Sequence, residues 1–295
     1  MESFTNYLSK KTELIEKTLK NFLPQDASLI SQVMRYAVLN GGKRLRPALV
    51  ILSASLFNFK TENVLPAAAA VEFMHCYSLV HDDLPSMDND DLRRGKPTVH
   101  KKFGSAAAIL CGDALLTESF NLITKSKSKE KNINAAVKIL SCYGGYKGMI
   151  DGQLEDTLET GKWNKKNKKS LEKKLNYIQM KKTAALIVAA LKIGAVLSGA
   201  DKKSLAALEN YGEHIGCAFQ IVDDVLDVYA DKKLLGKKGS DLANNKLTAL
   251  FLFGKDEALR RAQNHISKAK KSVEIFKKKA GLLESLADFV IKRAY

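Results

Sequence analysis

Segments of helical length, rich in Ala, Leu and Ile, make up most of the chain and limit its possible folds more than any other feature. They cover residues 66–84, 105–124, 174–198, 204–229 and 246–276. Alternating strand patterns are nearly absent, and the breaks fall where glycines cluster. Hydrophobic residues make up 45 % of the 295 positions, which is enough for a large core. The pattern predicts an all-α fold of about ten or more helices.

The sequence favours one cytoplasmic domain spanning residues 1–295. No shift in composition and no repeat of fixed period divides the chain. The N-terminal residues lack the apolar core of a signal peptide, and the apolar stretch Ala184–Leu191 is much shorter than the roughly 20 residues of a bilayer span. We therefore expect no membrane anchor. The cysteines have no metal-ligand spacing, so we expect free buried thiols at Cys76, Cys111, Cys142 and Cys217.

A net charge of +16 raises nucleic acid as a partner. The lysine-rich runs 162–174 and 268–279 carry no aromatic residues at a stacking period, and no nucleic-acid-binding motif accompanies them. Runs of like charge are usually solvated helix faces or loops. The sequence therefore predicts no nucleic-acid partner.

Acidic residues are concentrated in two short windows despite the positive net charge. Residues 81–94 hold Asp82, Asp83, Asp88, Asp90 and Asp91, and residues 220–231 hold Asp223, Asp224, Asp227 and Asp231. Carboxylates this close repel one another, and no lysines are interleaved with them. A divalent cation removes the repulsion, and Mg²⁺ binds carboxylates together with substrate phosphates. Two such windows, each after an apolar helical run, favour metal sites over solvated helix ends.

Basic residues stand beside turns that suit phosphate. Lys43, Arg44 and Arg46 follow a Gly-Gly turn at a predicted helix start, where backbone N–H groups and the helix dipole favour anions. Arg93 and Arg94 directly follow the first acidic window, and guanidinium groups match phosphate oxygens well. Together these residues indicate a substrate that carries a di- or polyphosphate.

The motifs together resemble those of the short-chain polyprenyl diphosphate synthases, a trans-prenyltransferase family, and most closely its bacterial farnesyl diphosphate synthases. The resemblance covers essentially the whole chain, and the motifs stand in the family's order. They are GGKRLRP (41–47), DDLPSMD (82–88) with DLRRG after it, GQLED (152–156), Lys182-Thr183, DDVLD (223–227) and GKKGSDLANNK (236–246). Either aspartate motif alone would be a weak signal, whereas the pair with these flanking residues is specific.

The resemblance implies a single-domain antiparallel helical bundle around a deep central cavity, the isoprenoid synthase type, and a homodimer. It implies condensation of isopentenyl diphosphate with dimethylallyl or geranyl diphosphate to farnesyl diphosphate, by ionisation assisted by three Mg²⁺ ions. A geranylgeranyl diphosphate synthase of the same family is the alternative. A terpene cyclase would need a different second metal motif, and a non-catalytic basic helical binding protein would leave the clustered acids unexplained.

The resemblance also assigns roles to individual residues. The metal residues are Asp82, Asp83, Asp88, Asp156, Asp223, Asp224 and Asp227, with Asp83 and Asp224 in supporting positions. The allylic diphosphate is assigned to Arg93, Lys182, Lys237 and Lys246, and isopentenyl diphosphate to Lys43, Arg46, His75 and Arg94. The catalytic group is Lys182 with Thr183 and Gln220, the last two facing the developing carbocation.

Tyr77 and Ser78 are the candidate determinants of product length. Tyr77 lies five residues before Asp82, hence roughly 7.5 Å along a helix from the metal end. An aromatic residue here blocks the growing tail in bacterial farnesyl synthases, whereas related geranylgeranyl synthases tend to carry a smaller or more flexible residue. Tyr77 therefore favours the farnesyl product over the geranylgeranyl product. The alternative is that Tyr77 is an ordinary aromatic residue of the core.

The first aspartate motif departs from a regular helix. Asp82 and Asp88 are six positions apart and cannot share one helix face, so we expect Pro85 to distort the segment. Which of Asp88, Asp90 and Asp91 completes the metal shell stays open. We interpret His81 as a structural residue and expect Arg293 to close over the bound diphosphate.

Overall fold

The structure is a computed structural model that describes residues 2–162, 167–229 and 246–293. Within these residues it confirms the all-α class. The α-helices are α1 (Phe4–Phe22), α2 (Leu29–Leu39), α3 (Leu45–Ser55), α4 (Leu65–Asp82), α5 (Val99–Phe103), α6 (Ser105–Thr124), α7 (Glu130–Gly144), α8 (Met149–Glu159), α9 (Lys168–Ile178), α10 (Ala185–Leu197), α11 (Lys202–Tyr229), α12 (Ala249–Phe253), α13 (Lys255–Ser272) and α14 (Gly281–Lys292). A π-helical segment, Gln179–Ala184, joins α9 to α10, and 3₁₀ turns lie at Thr61–Asn63 and Glu274–Ala280. The strands of the described residues, β1 (Leu92–Arg93) and β2 (Lys96–Pro97), form one short antiparallel hairpin.

The chain divides into two compact units. The first-motif unit holds residues 8–140 and 193–199, and the second-motif unit holds residues 1–7, 141–192 and 200–295. Each unit therefore contains one of the two aspartate motifs.

The core of the first-motif unit is the packing of α4 along α6. Pro66 stands in the first turn of α4, where its missing N–H costs nothing. The run Ala67–Ala70 is fully buried, and its small side chains let neighbouring helices approach closely. Larger side chains fill the space further along, among them Phe73 of α4 and Leu115 of α6. This packing holds the C-terminal end of α4, where the first aspartate motif begins, in a defined position.

The second-motif unit is built on α11, a helix of 28 residues. Helix α13, the π-helical segment and α14 pack against it. Tyr211 of α11 is fully buried, and its hydroxyl donates a hydrogen bond to the carbonyl of Leu283 in α14 (2.6 Å). The last turns of α11 carry the second aspartate motif.

The helix boundaries differ from the sequence prediction at three places. Predicted helix 66–84 ends at Asp82, because the chain turns ahead of Pro85. Predicted helix 174–198 contains the π-helical segment. Predicted segment 246–276 is broken at Gly254, whose φ of 77° no regular helix accepts.

Among the described residues, α6 is the one helix long and apolar enough to cross a membrane by length and composition, which the sequence analysis did not single out. Core helices pass the same test, and α6 packs along α4. All four cysteines are free as expected, but Cys142 is exposed, so the prediction of buried thiols was wrong for that residue.

Candidate active site

The first aspartate motif forms a tight turn directly after α4. The N–H of Asp88 donates to the carbonyl of Asp82 (2.9 Å), and the N–H groups of Met87 and Asn89 both donate to the carbonyl of Leu84. Asn89 has a φ of 50°, a left-handed conformation that Asn tolerates better than most residues. The turn brings Asp88 beside Asp82, although the two are six positions apart.

Asp83 is the buried member of this motif and pairs with Arg93. The Nε of Arg93 lies 2.7 Å from one carboxylate oxygen of Asp83 and 2.8 Å from the other. Asp83 is only 3 % exposed, whereas Asp82 and Asp88 are half-buried. Asp83 is therefore placed to position Arg93.

The glycine turn before α3 lies under Arg94. Gly41 and Gly42 have φ values of 83° and 132°. The Arg94 guanidinium donates to the carbonyl of Gly41. A Cβ at position 42 would stand 2.7 Å from the guanidinium carbon, so a side chain there would displace Arg94, and the backbone conformation itself favours glycine. Two motifs far apart in sequence thus meet in one cationic surface.

Arg46 and His75 are also in contact within the first-motif unit. Nη1 of Arg46 lies 3.2 Å from Nε2 of His75. Burial, followed by the charges of Arg46, Arg94, Arg93 and Arg44, holds the pKa of His75 well below its usual value. His75 is therefore neutral at physiological pH and can accept a hydrogen bond from Arg46 through Nε2. Lys43, from the same predicted set, is exposed beside the glycine turn.

Arg44 has a different environment from the other basic residues of the GGKRLRP motif. Its side chain is fully buried and pairs with Glu16 and Glu72, both at 2.7 Å. A third hydrogen bond goes to the carbonyl of Val38 (2.7 Å). Arg44 therefore ties α1, α2 and α4 to the start of α3, and it is not available to phosphate.

Tyr77 and Ser78 lie on α4 as predicted. Tyr77 is 5 % exposed, and burial together with the Asp82 charge raises the pKa of its phenol to about 12. Ser78 turns back onto its own helix, where its hydroxyl donates to the carbonyl of His75 (2.9 Å).

Six predicted residues line one cavity of about 70 Å³ in the second-motif unit: Asp156, Lys182, Thr183, Gln220, Asp224 and Lys246. Nζ of Lys182 lies 2.6 Å from a carboxylate oxygen of Asp156. The hydroxyl of Thr183 donates to the amide oxygen of Gln220 (2.6 Å), whose amide nitrogen donates to Asp224 (2.9 Å). The second oxygen of Asp224 accepts the backbone N–H of Ala249 (3.0 Å). The chain of bonds orients the Gln220 amide in a single way.

Two glycines allow the elements of this unit to approach the π-helical segment. A Cβ at Gly152 of α8 would lie 2.2 Å from the backbone nitrogen of Lys182. A Cβ at Gly216 of α11 would lie 2.4 Å from the Cα of Ala184. Single π turns inside α-helices are frequent at functional sites, and this one carries both Lys182 and Thr183.

Asp223 and Asp227 lie one turn apart on α11 and are half-buried. The Arg293 guanidinium lies 2.8 Å from Asp223 and above the ring of Phe219. Arg293 thus contacts a predicted metal residue directly. The predicted residue Lys237 lies outside the described residues.

Gln179 is a residue of this cavity that the sequence reasoning missed. Its side chain is 2 % exposed, and its amide nitrogen has no hydrogen-bond partner within the described residues. It stands four positions before Thr183, so it projects from the same side of the helix. That spacing was the signal available in the sequence.

The carboxylates of the first motif fit a hard divalent cation. Within the described residues, no three His, Cys, Asp or Glu side chains converge closely enough to hold a metal by themselves. Mg²⁺ commonly takes only one or two carboxylates and completes its shell with water and substrate phosphate. Asp82 and Asp88, whose backbones meet in one turn, offer two carboxylates of this kind. Asp83, Asp156 and Asp224 have cationic or amide partners, so they are better placed to orient their neighbours.

A model of the polyprenyl synthetase family matches residues 27–283. A geranylgeranyl diphosphate synthase of Cyanophora paradoxa is 39 % identical over 97 % of this chain and 95 % of its own length. A farnesyl diphosphate synthase of Escherichia coli is 41 % identical over 92 % of this chain and 91 % of its own.

The solved structures agree with the family model. A geranyltransferase of Helicobacter pylori, complexed with magnesium and isoprenyl diphosphate, superimposes with a TM-score of 0.84. It is 32 % identical, and the match covers 99 % of this chain and 97 % of that one. The resemblance read from the motifs is therefore confirmed at the level of the family.

Proposed function

The chain belongs to the polyprenyl synthetase family and is a short-chain trans-prenyltransferase, and we propose that it makes (2E,6E)-farnesyl diphosphate. The substrates are isopentenyl diphosphate with dimethylallyl and then geranyl diphosphate. Relatives named for the C15 and the C20 product are about equally similar, so the proposal on chain length rests on this chain's own residues. The same proposal treats residues 1–295 as one cytoplasmic synthase domain that acts as a homodimer.

The observation that carries the farnesyl product is the position of Tyr77. Its ring is buried on α4, five residues before Asp82. At a rise of about 1.5 Å per residue, a chain growing from the metal end meets this ring after roughly 7.5 Å. Ser78, half-buried beside it, adds little bulk.

The cationic surface formed by Arg46, Arg94 and Lys43 is proposed to bind isopentenyl diphosphate. Arg94 is held over the glycine turn, and Arg46 is held by neutral His75. Guanidinium groups fixed in this way lose little further freedom when they bind an anion. Their role is to hold the double bond of isopentenyl diphosphate near the allylic carbon, which lowers the entropic barrier to attack.

Arg93, Lys182, Lys237 and Lys246 are the residues proposed to bind the allylic diphosphate. Asp83 and Asp156 orient Arg93 and Lys182, respectively. Asp82, Asp88, Asp223 and Asp227 are the proposed Mg²⁺ ligands, for three ions in all. The bound Mg²⁺ would neutralise the negative charge of the diphosphate leaving group. Members of the family use divalent metal ions, and the Helicobacter pylori structure holds magnesium.

The oxygens of Thr183 and Gln220 are proposed to face the allylic cation. The Thr183 hydroxyl donates to Gln220, so its lone pairs are directed away from that bond. The Gln220 amide is fixed by Asp224 and cannot present its N–H₂ group to the cation instead. A dipole held in this way stabilises developing positive charge without having to reorient.

Product analysis tests the proposal. Purified protein with Mg²⁺, dimethylallyl diphosphate and excess isopentenyl diphosphate should give a C15 product, and EDTA should abolish it. Tyr77→Ala should lengthen the main product to C20 or beyond, with Tyr77→Phe as the control that keeps the ring. A wild-type C20 product would instead support the geranylgeranyl alternative. An unchanged C15 product from Tyr77→Ala would show that Tyr77 does not control chain length. If EDTA changed neither the product nor the rate, the metal-dependent reaction would be refuted.

A further inference from the structure

Tyr77 can limit chain length only if its ring is prevented from turning aside. The ring packs against His81, one turn further along α4, with centroids 5.8 Å apart and an interplanar angle of 86°. An edge-on contact of this kind is favourable and directional. The orientation of Tyr77 therefore depends on the orientation of His81.

His81 is in turn fixed by α6. Its Nε2 lies 3.0 Å from the carbonyl oxygen of Ile109, within hydrogen-bond distance. Nε2 also lies 4.0 Å from the carboxylate of Asp113, whose side chain is 60 % exposed. The imidazole is thus anchored on one side by a backbone carbonyl and presents its ring to Tyr77.

Gly112 of α6 provides the space that this imidazole occupies. A Cβ at position 112 would lie 2.0 Å from Nε2 of His81, 2.4 Å from Cδ2 and 2.7 Å from Cε1. Gly112 lies inside a regular helix, where glycine costs about 1 kcal/mol relative to alanine. Its presence is explained by the contact with His81 rather than by backbone conformation.

We propose that His81 and Gly112 are positioning residues for product length, because together they hold the Tyr77 ring across the path of the growing chain. The inference rests on the proposed function, in which Tyr77 is the residue that ends elongation. An alanine at 112 would push the imidazole off α6, break its bond to Ile109 and remove the ring that supports Tyr77. Neither substitution removes a proposed metal ligand, so we expect catalysis to continue with a longer product.

A double-mutant cycle of Gly112→Ala, His81→Ala and the combined variant tests this inference. The readouts are the ratio of C20 to C15 product, the kcat and KM for geranyl diphosphate, and the Mg²⁺ concentration for half-maximal rate. Gly112→Ala should raise the C20:C15 ratio about fivefold or more. This corresponds to a change of about 1 kcal/mol in the difference between the activation free energies of product release and of further elongation. Thr117→Ala, at an exposed position of the same helix, is the control and should leave the ratio unchanged.

The combined variant separates a clash from general damage to α6. Once the imidazole is gone, the new methyl group has space, so the double variant should give the same product ratio as His81→Ala alone. Additive effects, or a lower rate with an unchanged C15 product, would overturn the inference. If Tyr77→Ala lengthens the product while Gly112→Ala and His81→Ala do not, the inference alone fails. If Tyr77→Ala also leaves C15 unchanged, the proposed role of Tyr77 fails first.

Discussion

Arg93 donates hydrogen bonds from Nε to both carboxylate oxygens of Asp83, at 2.7 and 2.8 Å. The Asp83 side chain is almost wholly buried, and that of Arg93 is largely so. The second aspartate of the first motif is thus already compensated by a positive charge. Its neighbour Asp82 is half-buried at the end of α4. Two adjacent acids of one motif therefore have separate physical roles.

This difference predicts that Arg93→Ala lowers the free energy of unfolding much more than Asp82→Asn does. Arg93→Ala leaves a buried carboxylate uncompensated, and losing one partner of such a pair costs about 3–5 kcal/mol. Asp82→Asn should lower activity strongly while changing the free energy of unfolding much less. Urea unfolding at pH 7.5 measures the change in stability, and the rate of product formation measures the change in activity. If the loss of stability comes from the uncompensated Asp83 carboxylate, the double variant Arg93→Ala/Asp83→Leu should recover part of it. No recovery in the double variant would contradict this explanation.

Some of this arrangement could be predicted from the sequence and some could not. Tyr77 and Asp82 could be placed on one helix because the helical rise sets their separation. The pairing of Asp83 with Arg93 could not be foreseen, because it depends on a turn in which Asn89 adopts a left-handed conformation. The π-helical segment was also invisible, since its apolar pattern differs too little from that of an ordinary helix. The glycines at 152 and 216 mark it only once their neighbours are known.

Gln179 offers a test in which stability and activity should move in opposite directions. Its buried amide nitrogen lacks a partner within the described residues, and an unsatisfied buried donor costs about 1–3 kcal/mol. Gln179→Met keeps the approximate shape and removes that cost, so the free energy of unfolding should rise by about 1 kcal/mol. Activity should fall, because the amide lines the cavity that holds Lys182 and Thr183. Unchanged kcat/KM in Gln179→Met would show that the amide has no part in substrate binding. Gln263→Met, at an exposed position of α13, is the control.

Gly152→Ala should damage the site through the backbone. The added methyl group would lie 2.2 Å from the nitrogen of Lys182, an atom that cannot turn away. Overpacking of this kind costs about 1–3 kcal/mol, which exceeds the gain in helix propensity. We expect a lower melting temperature and a lower kcat, because the Lys182–Asp156 pair is displaced. Thr157→Ala, exposed on the same helix, is the control, and equal behaviour of the two variants would contradict the prediction.

The contact between His214 and His265 should make stability depend on pH. Their Nδ1 atoms lie 3.2 Å apart, and burial, with the charges of His214, Lys268 and Arg261, lowers the pKa of His265 to about 4. The unfolded chain, with a pKa near 6.5, binds more protons than the folded chain between these values. The contribution of neutral His265 to the free energy of unfolding is therefore fully present above about pH 6.5 and is lost as the pH falls towards about 4.

The variant His265→Gln removes this titration. Urea unfolding at pH 7.5 and pH 5 should show a smaller loss on acidification than in the wild type, whereas Asn264→Gln on the exposed side of α13 should behave like the wild type. The same acid loss in His265→Gln and the wild type would assign the pH dependence to other groups.

Arg293 should compete with Mg²⁺ for Asp223. Its guanidinium lies 2.8 Å from the carboxylate, and both side chains retain some exposure. Pairs of this kind contribute about 0–1 kcal/mol to stability. Because Mg²⁺ must displace Arg293 from Asp223, the pair should weaken the apparent affinity for Mg²⁺ by up to about fivefold. Arg293→Ala should therefore lower the Mg²⁺ concentration for half-maximal rate by up to that factor. Arg260→Ala, which loses a pair with Glu257 of its own helix, should leave that concentration unchanged because the Arg260 side chain is 72 % exposed and contacts no proposed metal residue in that pair. If Arg293→Ala instead raises the Mg²⁺ requirement and the KM for the allylic substrate together, the arginine binds the diphosphate rather than restraining Asp223.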